Sequence, residues 1–204
     1  MNKKTVLIWL LLLLLVFSSC KGDGFDSTKS ETPYLLSFSS VQEMRDFMIC
    51  SIESPERYNE FVGVHSANQT DSMSMITQQR AKQISSDFLS HSIVIPIDIS
   101  QKAESSSINY TFNSSYKVLR VGYSIENVNY SFEYRFDKEF DDYKMKGKPV
   151  LNGLEIGSYT VDLYRKEENA YHGVFMAEGF PIYVQIKTEQ IEKISLKDFD
   201  LVAL

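Results

Sequence analysis

One stretch of the sequence, VGYSIENVNYSFEYRF (residues 121–136), decides the fold class because apolar and polar residues alternate along it. Successive side chains of a β-strand point to opposite faces, so the alternation predicts strands with one apolar face. Glu126 and Asn127 interrupt the pattern and indicate a turn between two antiparallel strands. The apolar positions are aliphatic or aromatic: Val121, Tyr123, Ile125, Tyr130, Phe132, Tyr134 and Phe136. The polar positions between them, including Glu133, are expected on the face that is not buried.

Further short strands are predicted on both sides of this hairpin. They lie at residues 34–38, 92–99, 108–112, 151–157, 159–163, 171–176 and 182–186. Pro96 cannot donate a backbone hydrogen bond, which places its strand at a sheet edge or a bulge. After residue 92 the chain is therefore expected to form an antiparallel meander of about six or seven strands.

The segment before this sheet has the period of α-helices. A capping box that begins at Ser40 predicts a helix over residues 41–52. Pro55 suits the first turn of a second helix, and a third is predicted over residues 72–90. A further N-cap at Ser195 predicts a short C-terminal helix. Because helices and strands occupy separate parts of the chain, we predict an α+β domain with its helices packed on one face of the sheet.

The N-terminus has the pattern of a secretory signal. Lys3 and Lys4 precede an unbroken apolar run from Val6 to Phe17. Its twelve residues would reach roughly 18 Å as a helix, whereas a bilayer core is about 30 Å thick. A cationic start, a short apolar run and the small residues behind it predict a leader over residues 1–19 that is cleaved.

The end of this leader carries a further motif. Phe17-Ser18-Ser19-Cys20 resembles the lipobox of bacterial lipoproteins, with Phe17 where Leu is usual. The resemblance implies that the Cys20 sulfur receives a diacylglyceryl group, that cleavage occurs before Cys20, and that the new amine is acylated, for example with palmitate. Two or more acyl chains give stable anchoring. The protein is thus expected outside the cytoplasm, anchored to a membrane through Cys20; the alternative is a plain secretory leader with an accidental cysteine.

The cleavage defines the domains and the charge of the mature chain. Residues 20–33 are rich in Gly, Ser, Thr and charged residues and are expected to form a flexible tether spanning about 20 Å. Residues 34–204 are expected to form a single α+β domain. The net charge of −6 becomes −8 when Lys3 and Lys4 leave with the leader. Nucleic acid is excluded as a partner, because binding phosphates requires a basic surface.

Two further resemblances concern the domain, and the first of them, at the level of the fold, suggests a carrier. A curved sheet with helices across its open face resembles the half-barrels of periplasmic lipoprotein carriers. The segment GFPIYVQI (residues 179–186), followed by a helix, is similar to the end of uncharacterised Gram-positive lipoproteins. In a carrier, the aromatic strand residues would line an apolar groove. The alternative, which we favour, is that they form the core beneath the helices: Tyr110, Phe112, Tyr123, Tyr130, Phe132, Tyr134 and Phe136.

No metal site or cofactor is predicted. His65, His91 and His172 lack the close spacing of zinc ligands. Asp137 begins a run with carboxylates at the first three ligand positions of a calcium loop, but the sixth position is Asp142 rather than Gly, and the twelfth is Lys148 rather than Glu. The acidic run is therefore expected to be a solvated loop.

No catalytic residue is predicted either, because no nucleophile motif occurs and Cys50 lies among apolar residues. The leading hypothesis is a non-catalytic binding or accessory protein of the cell envelope. Its partner would be an envelope protein or a hydrophobic ligand. The alternatives are a hydrophobic-ligand carrier, and an envelope enzyme whose site forms only when a histidine meets carboxylates or Cys50 in the folded chain.

Overall fold

A computed structural model of the protein describes residues 34–66, 76–113 and 116–204, except for the side chains of residues 65 and 66. The predicted leader, the lipid-anchor Cys20 and the tether lie outside these residues. None of the helices in the described part has the length and apolar content needed to cross a bilayer.

Three α-helices occupy the first half of the described chain. They are α1 (Val41–Glu53), α2 (Pro55–Ser66) and α3 (Gln78–Leu89). The predicted cap is confirmed, since the Ser40 side chain accepts a hydrogen bond from the Glu43 amide at 3.1 Å. The helix predicted over residues 72–90 begins at Gln78 within the described residues, capped by Thr77.

Ten strands are present in the described residues, one before these helices in the sequence and nine after them. They are β1 (Tyr34–Phe38), β2 (Val94–Asp98), β3 (Ser105–Phe112), β4 (Lys117–Ile125), β5 (Val128–Arg135), β6 (Leu151–Ile156), β7 (Tyr159–Glu167), β8 (Ala170–Ala177), β9 (Phe180–Lys187) and β10 (Phe199–Ala203). Single 3₁₀ turns lie at Phe140–Asp142 and Ile191–Lys193.

Eight strands form the main sheet, in the order β1-β3-β4-β5-β9-β8-β7-β6. All neighbouring strands are antiparallel. Two meanders, β3–β5 and β6–β9, join because β9 pairs with β5, and β1 completes the sheet by pairing with β3. The α+β class with a dominant antiparallel sheet is confirmed.

The prediction of a C-terminal helix is wrong. Residues Phe199–Ala203 form β10, which pairs with β2 in a separate two-stranded sheet. Leu201 lies opposite Pro96 in this pair. Pairing satisfies backbone groups on both strands and buries Phe199, which is 1% exposed. These tertiary contacts outweigh the local N-cap signal at Ser195.

The aromatic face of the sheet is the core of the domain. Tyr110, Phe132 and Tyr134 are fully buried. Phe88 of α3 packs against Tyr110 with ring centroids 4.8 Å apart, and Phe199 of β10 packs against Phe132 at 5.2 Å. Five of the seven aromatic residues are therefore buried as core, in line with the interpretation that we favour, and Tyr123 and Phe136 are partly buried.

Two buried tyrosines allow a test of hydrogen bonding in this core. The Tyr134 hydroxyl donates to the Val94 carbonyl at 2.8 Å, whereas the Tyr110 hydroxyl has no partner among the described residues. We expect Tyr134→Phe to lower the free energy of unfolding by about 1 kcal/mol. Tyr110→Phe should leave it unchanged or raise it, because an unsatisfied buried hydroxyl is removed. Urea unfolding measures the difference, and equal losses would contradict it.

Candidate functional site

The fold brings together two features of the sequence, His91 and the acidic loop that begins at Asp137. They line one cleft of about 660 Å³, which we call the His91 cleft. Its walls are His91, residues 136–141, Met176 and residues 179–181. His91 follows α3, the acidic loop connects β5 to β6, and the remaining residues come from the β8–β9 hairpin, where β8 and β9 meet. The cleft therefore depends on three connections that meet only in the folded chain.

The orientation of His91 is set by the end of α3. Its Nδ1 lies 2.7 Å from the Asp87 carbonyl oxygen and 2.9 Å from Ser90 Oγ. A carbonyl oxygen only accepts hydrogen bonds, so Nδ1 carries the proton and Nε2 of the neutral ring is an acceptor. The ring lies edge-on against Phe136 and Phe180, each at 5.4 Å between centroids. His91 is thus held in position while its second nitrogen keeps its hydrogen-bonding capacity.

The cleft combines two packed aromatic rings, buried Phe180 and partly buried Phe136, with an exposed apolar rim. Phe136 and Phe180 pack against each other at 5.4 Å between centroids. On the rim, Phe140 is 42% exposed and Met176 is 40% exposed. Two large apolar side chains left in solvent beside one cleft provide contact area that the domain itself does not use.

Carboxylates surround this apolar rim. Asp137 pairs with Arg135 at 3.1 Å, and Glu139 and Asp141 are exposed. Lys138 places its ammonium over the Tyr143 ring, 5.8 Å from the centroid. Within the described residues, no three His, Cys, Asp or Glu side chains are grouped so that they could hold a metal ion.

A second cluster lies where the sequence predicted a polar sheet face. Glu133 of β5 is only 6% exposed and pairs with Arg120 of β4 at 2.7 Å. Tyr183 is the β9 partner of Glu133, and the Tyr143 ring stacks on it at 5.2 Å. Burial, together with the charge of Glu133, raises the pKa of Tyr183 to about 12. This phenol therefore stays protonated at physiological pH.

Glu133, Arg120, Tyr183 and Tyr143 form what we call the Glu133 cluster. This cluster fixes the acidic loop to the sheet. Tyr143 follows the 3₁₀ turn of that loop directly, and its stacking on Tyr183 ties the turn to β9. The Tyr143 hydroxyl is buried without a hydrogen-bond partner among the described residues. We interpret the cluster as the support that positions Phe140 and Asp141 at the cleft.

The other sequence-predicted candidates lie elsewhere. His172 of β8 has its Nδ1 2.7 Å from the Tyr183 hydroxyl, and burial, aided by the charge of Lys166, lowers its pKa. Cys50 lies in the groove between α1 and α2, where burial raises the pKa of its thiol. The side chain of His65 lies outside the described residues. Neither His172 nor Cys50 lines the His91 cleft.

Comparisons of the chain with protein-family models, with curated proteins and with solved structures found no match. The fold-level resemblance to half-barrel carriers therefore stays a prediction, as does the lipobox resemblance at Cys20.

Proposed function

We propose that this protein is a lipid-anchored protein of the cell envelope that binds a protein partner through the His91 cleft, without catalysis. The observation that carries the proposal is the exposed apolar rim of Phe140 and Met176 beside exposed carboxylates. Binding surfaces combine apolar contact area with polar groups that set orientation. The domain lies outside the cytoplasm, and Cys20 and the tether keep it at the membrane surface.

The surroundings of Cys50, the candidate nucleophile, and of His91, the candidate base, support a non-catalytic role. The Cys50 thiol has a raised pKa, so little of the reactive thiolate is present at neutral pH. His91 Nδ1 is bonded to a backbone carbonyl and not to a carboxylate that would stabilise a charged ring. The two groups lie in different clefts.

The closed core supports a protein partner over a lipid ligand. We infer that α1 and α3 cover one face of the sheet, since Phe47 of α1 packs on Phe38 of β1 and Phe88 of α3 packs on Tyr110 of β3. Phe61 of α2 packs on Phe47 of α1. Phe38 is paired with Ile108 of β3, two residues from Tyr110, so these contacts fall on the same face. A carrier would need that face open.

Photo-crosslinking in living cells tests binding at the cleft. Benzoylphenylalanine in place of Phe140 should give a discrete protein adduct, because the side chain lies on the open rim. The control position is Val64 on α2, which is 61% exposed and does not line the cleft. Crosslinking from this position should give no such adduct.

A second variant separates binding from chance proximity. Met176→Ser removes apolar contact area from the rim at an exposed position without adding a charge, so the domain should still fold. We expect the adduct from position 140 to fall at least tenfold in this background. An adduct that persists there, or one that forms equally from position 64, would refute binding through the His91 cleft.

A further inference from the structure

We propose that the partner of the His91 cleft presents a basic peptide segment in which an apolar side chain lies between cationic ones. This inference rests on the proposed function, because it names the chemistry of the partner for the same site. It follows from the charges, the apolar rim and the hydrogen-bond acceptors of the cleft.

The charges of the cleft favour a cationic partner. Glu139 and Asp141 are exposed carboxylates on either side of Phe140 in the sequence. Among the residues that line the cleft, Asp137, Glu139 and Asp141 are acidic and Lys138 is basic. Arg135 pairs with Asp137, and Lys138 lies over the Tyr143 ring, so the carboxylates still outnumber the cations. Glu139 caps the 3₁₀ turn, yet a carboxylate has about four lone-pair sites and keeps acceptor capacity. Negative charge thus remains available at the mouth of the cleft, which attracts basic groups.

Cations farther along the loop do not cancel this charge inside the cleft. Lys144, Lys146 and Lys148 follow Tyr143 in the sequence, and none of them lines the cleft. The chain as a whole is also acidic, with a net charge of −6. An anionic ligand would therefore meet repulsion both locally and from the whole protein.

The apolar rim requires more than a simple cation. Phe140 and Met176 gain contact only if the ligand buries an apolar group between them. Met adapts its shape to varied partners, and the faces of aromatic rings also attract cations. A leucine or methionine side chain flanked by lysine or arginine has this combination of properties.

His91 adds an acceptor to these carboxylates, whereas Lys138 is the cationic donor among the lining residues. With Nδ1 of His91 bonded to the Asp87 carbonyl, Nε2 of the neutral ring can only accept. The cleft therefore offers His91 Nε2 and the oxygens of Glu139 and Asp141. Ammonium, guanidinium and peptide N–H groups are the donors that match such a set.

A fluorescent peptide tests the inference. The probe is a short acetylated peptide with two leucines flanked by lysines, titrated by anisotropy into the full chain purified in detergent. We expect saturable binding that weakens as salt increases. The double variant Glu139→Gln, Asp141→Asn should weaken binding at least tenfold. The matched control, Glu167→Gln with Glu168→Gln, removes the same charge from a different cleft and should change it less than twofold.

Two changes to the ligand and the rim complete the test. Replacing the leucines of the probe by serine, or Phe140 by serine in the protein, should each reduce affinity at least tenfold. Equal losses in both acidic double variants would mean attraction to an acidic protein in general and would overturn the inference. So would equal binding of a peptide with glutamate in place of lysine. If no basic peptide binds but position 140 still crosslinks, this inference fails while the proposed function stands.

Discussion

Gly173→Ala is expected to lower the free energy of unfolding by about 3 kcal/mol, at the upper end of typical overpacking costs. Gly173 lies in β8, and a Cβ atom there would meet the Asp162 carbonyl oxygen at 2.4 Å and Val161 Cγ2 at 2.7 Å. The first of these atoms belongs to the backbone of β7, which cannot move away without disturbing the pairing of β7 with β8. A glycine within a strand often marks such a close approach.

Gly63→Ala is the matched control, because it makes the same chemical change where space is open. No atom lies within 4 Å of a Cβ added at Gly63 in α2. Alanine favours a helix interior over glycine by up to about 1 kcal/mol, so this variant should be equally or more stable. Urea unfolding of both variants gives the comparison. Similar free energies of unfolding for the two would show that the close approach at Gly173 is tolerated.

The effect of Gly173→Ala should extend to the candidate site. β8 also carries Met176, which lines the cleft, and it pairs with β9, which begins at Phe180 of the same cleft. A shift of this strand would therefore move one wall of the His91 cleft. The crosslinking yield from position 140 is expected to fall in this variant even below its unfolding midpoint.

Most strands of the sheet could be predicted because local sequence patterns determine them. The alternation around Glu126 and Asn127 predicts β4, β5 and their turn, and both turn residues have the positive φ that a tight hairpin uses. The capping box at Ser40 likewise predicts the start of α1. In each case the residues that decide the structure are neighbours in the sequence.

The predictions that were wrong concern elements whose structure depends on segments distant in the sequence. β10 forms because β2 offers a pairing partner about a hundred residues earlier, and nothing near Ser195 indicates it. Glu133 is buried because Tyr183 and Tyr143 come to lie beside it, although its own strand predicts a polar face. The alternation of apolar and polar residues predicts individual strands and hairpins, but it does not predict the order of the strands in the sheet.

The candidate site was predictable only as separate pieces. The sequence drew attention to His91 and to the acidic loop, but it offered no reason to join them. They meet because α3 packs on the sheet with Phe88 against Phe136, at 5.6 Å between ring centroids, which brings His91 to the end of β5. The exposure of Phe140 and Met176 is likewise a property of the folded chain. A hydrophobic residue within a charged run is the one local signal that could have identified the rim.

Cys20→Ala is expected to abolish incorporation of labelled palmitate and to move the protein from the membrane to the soluble fraction. In the proposed anchor the Cys20 sulfur carries the diacylglyceryl group, so the substitution removes both acyl chains of that group. The apolar run of the leader would reach only roughly 18 Å and cannot replace a spanning helix. Alkaline extraction of membranes and the labelling together measure the change.

Cys50→Ala is the matched control for this experiment, since it removes the other cysteine of the chain. Cys50 lies between α1 and α2, where alanine is a good helix former and the side chain is partly exposed. This variant should keep both the label and the membrane fraction of the unaltered protein. Retention of the label after Cys20→Ala, or its loss after Cys50→Ala, would show that Cys20 is not the lipidated residue. The protein would then require another route to the membrane, or none.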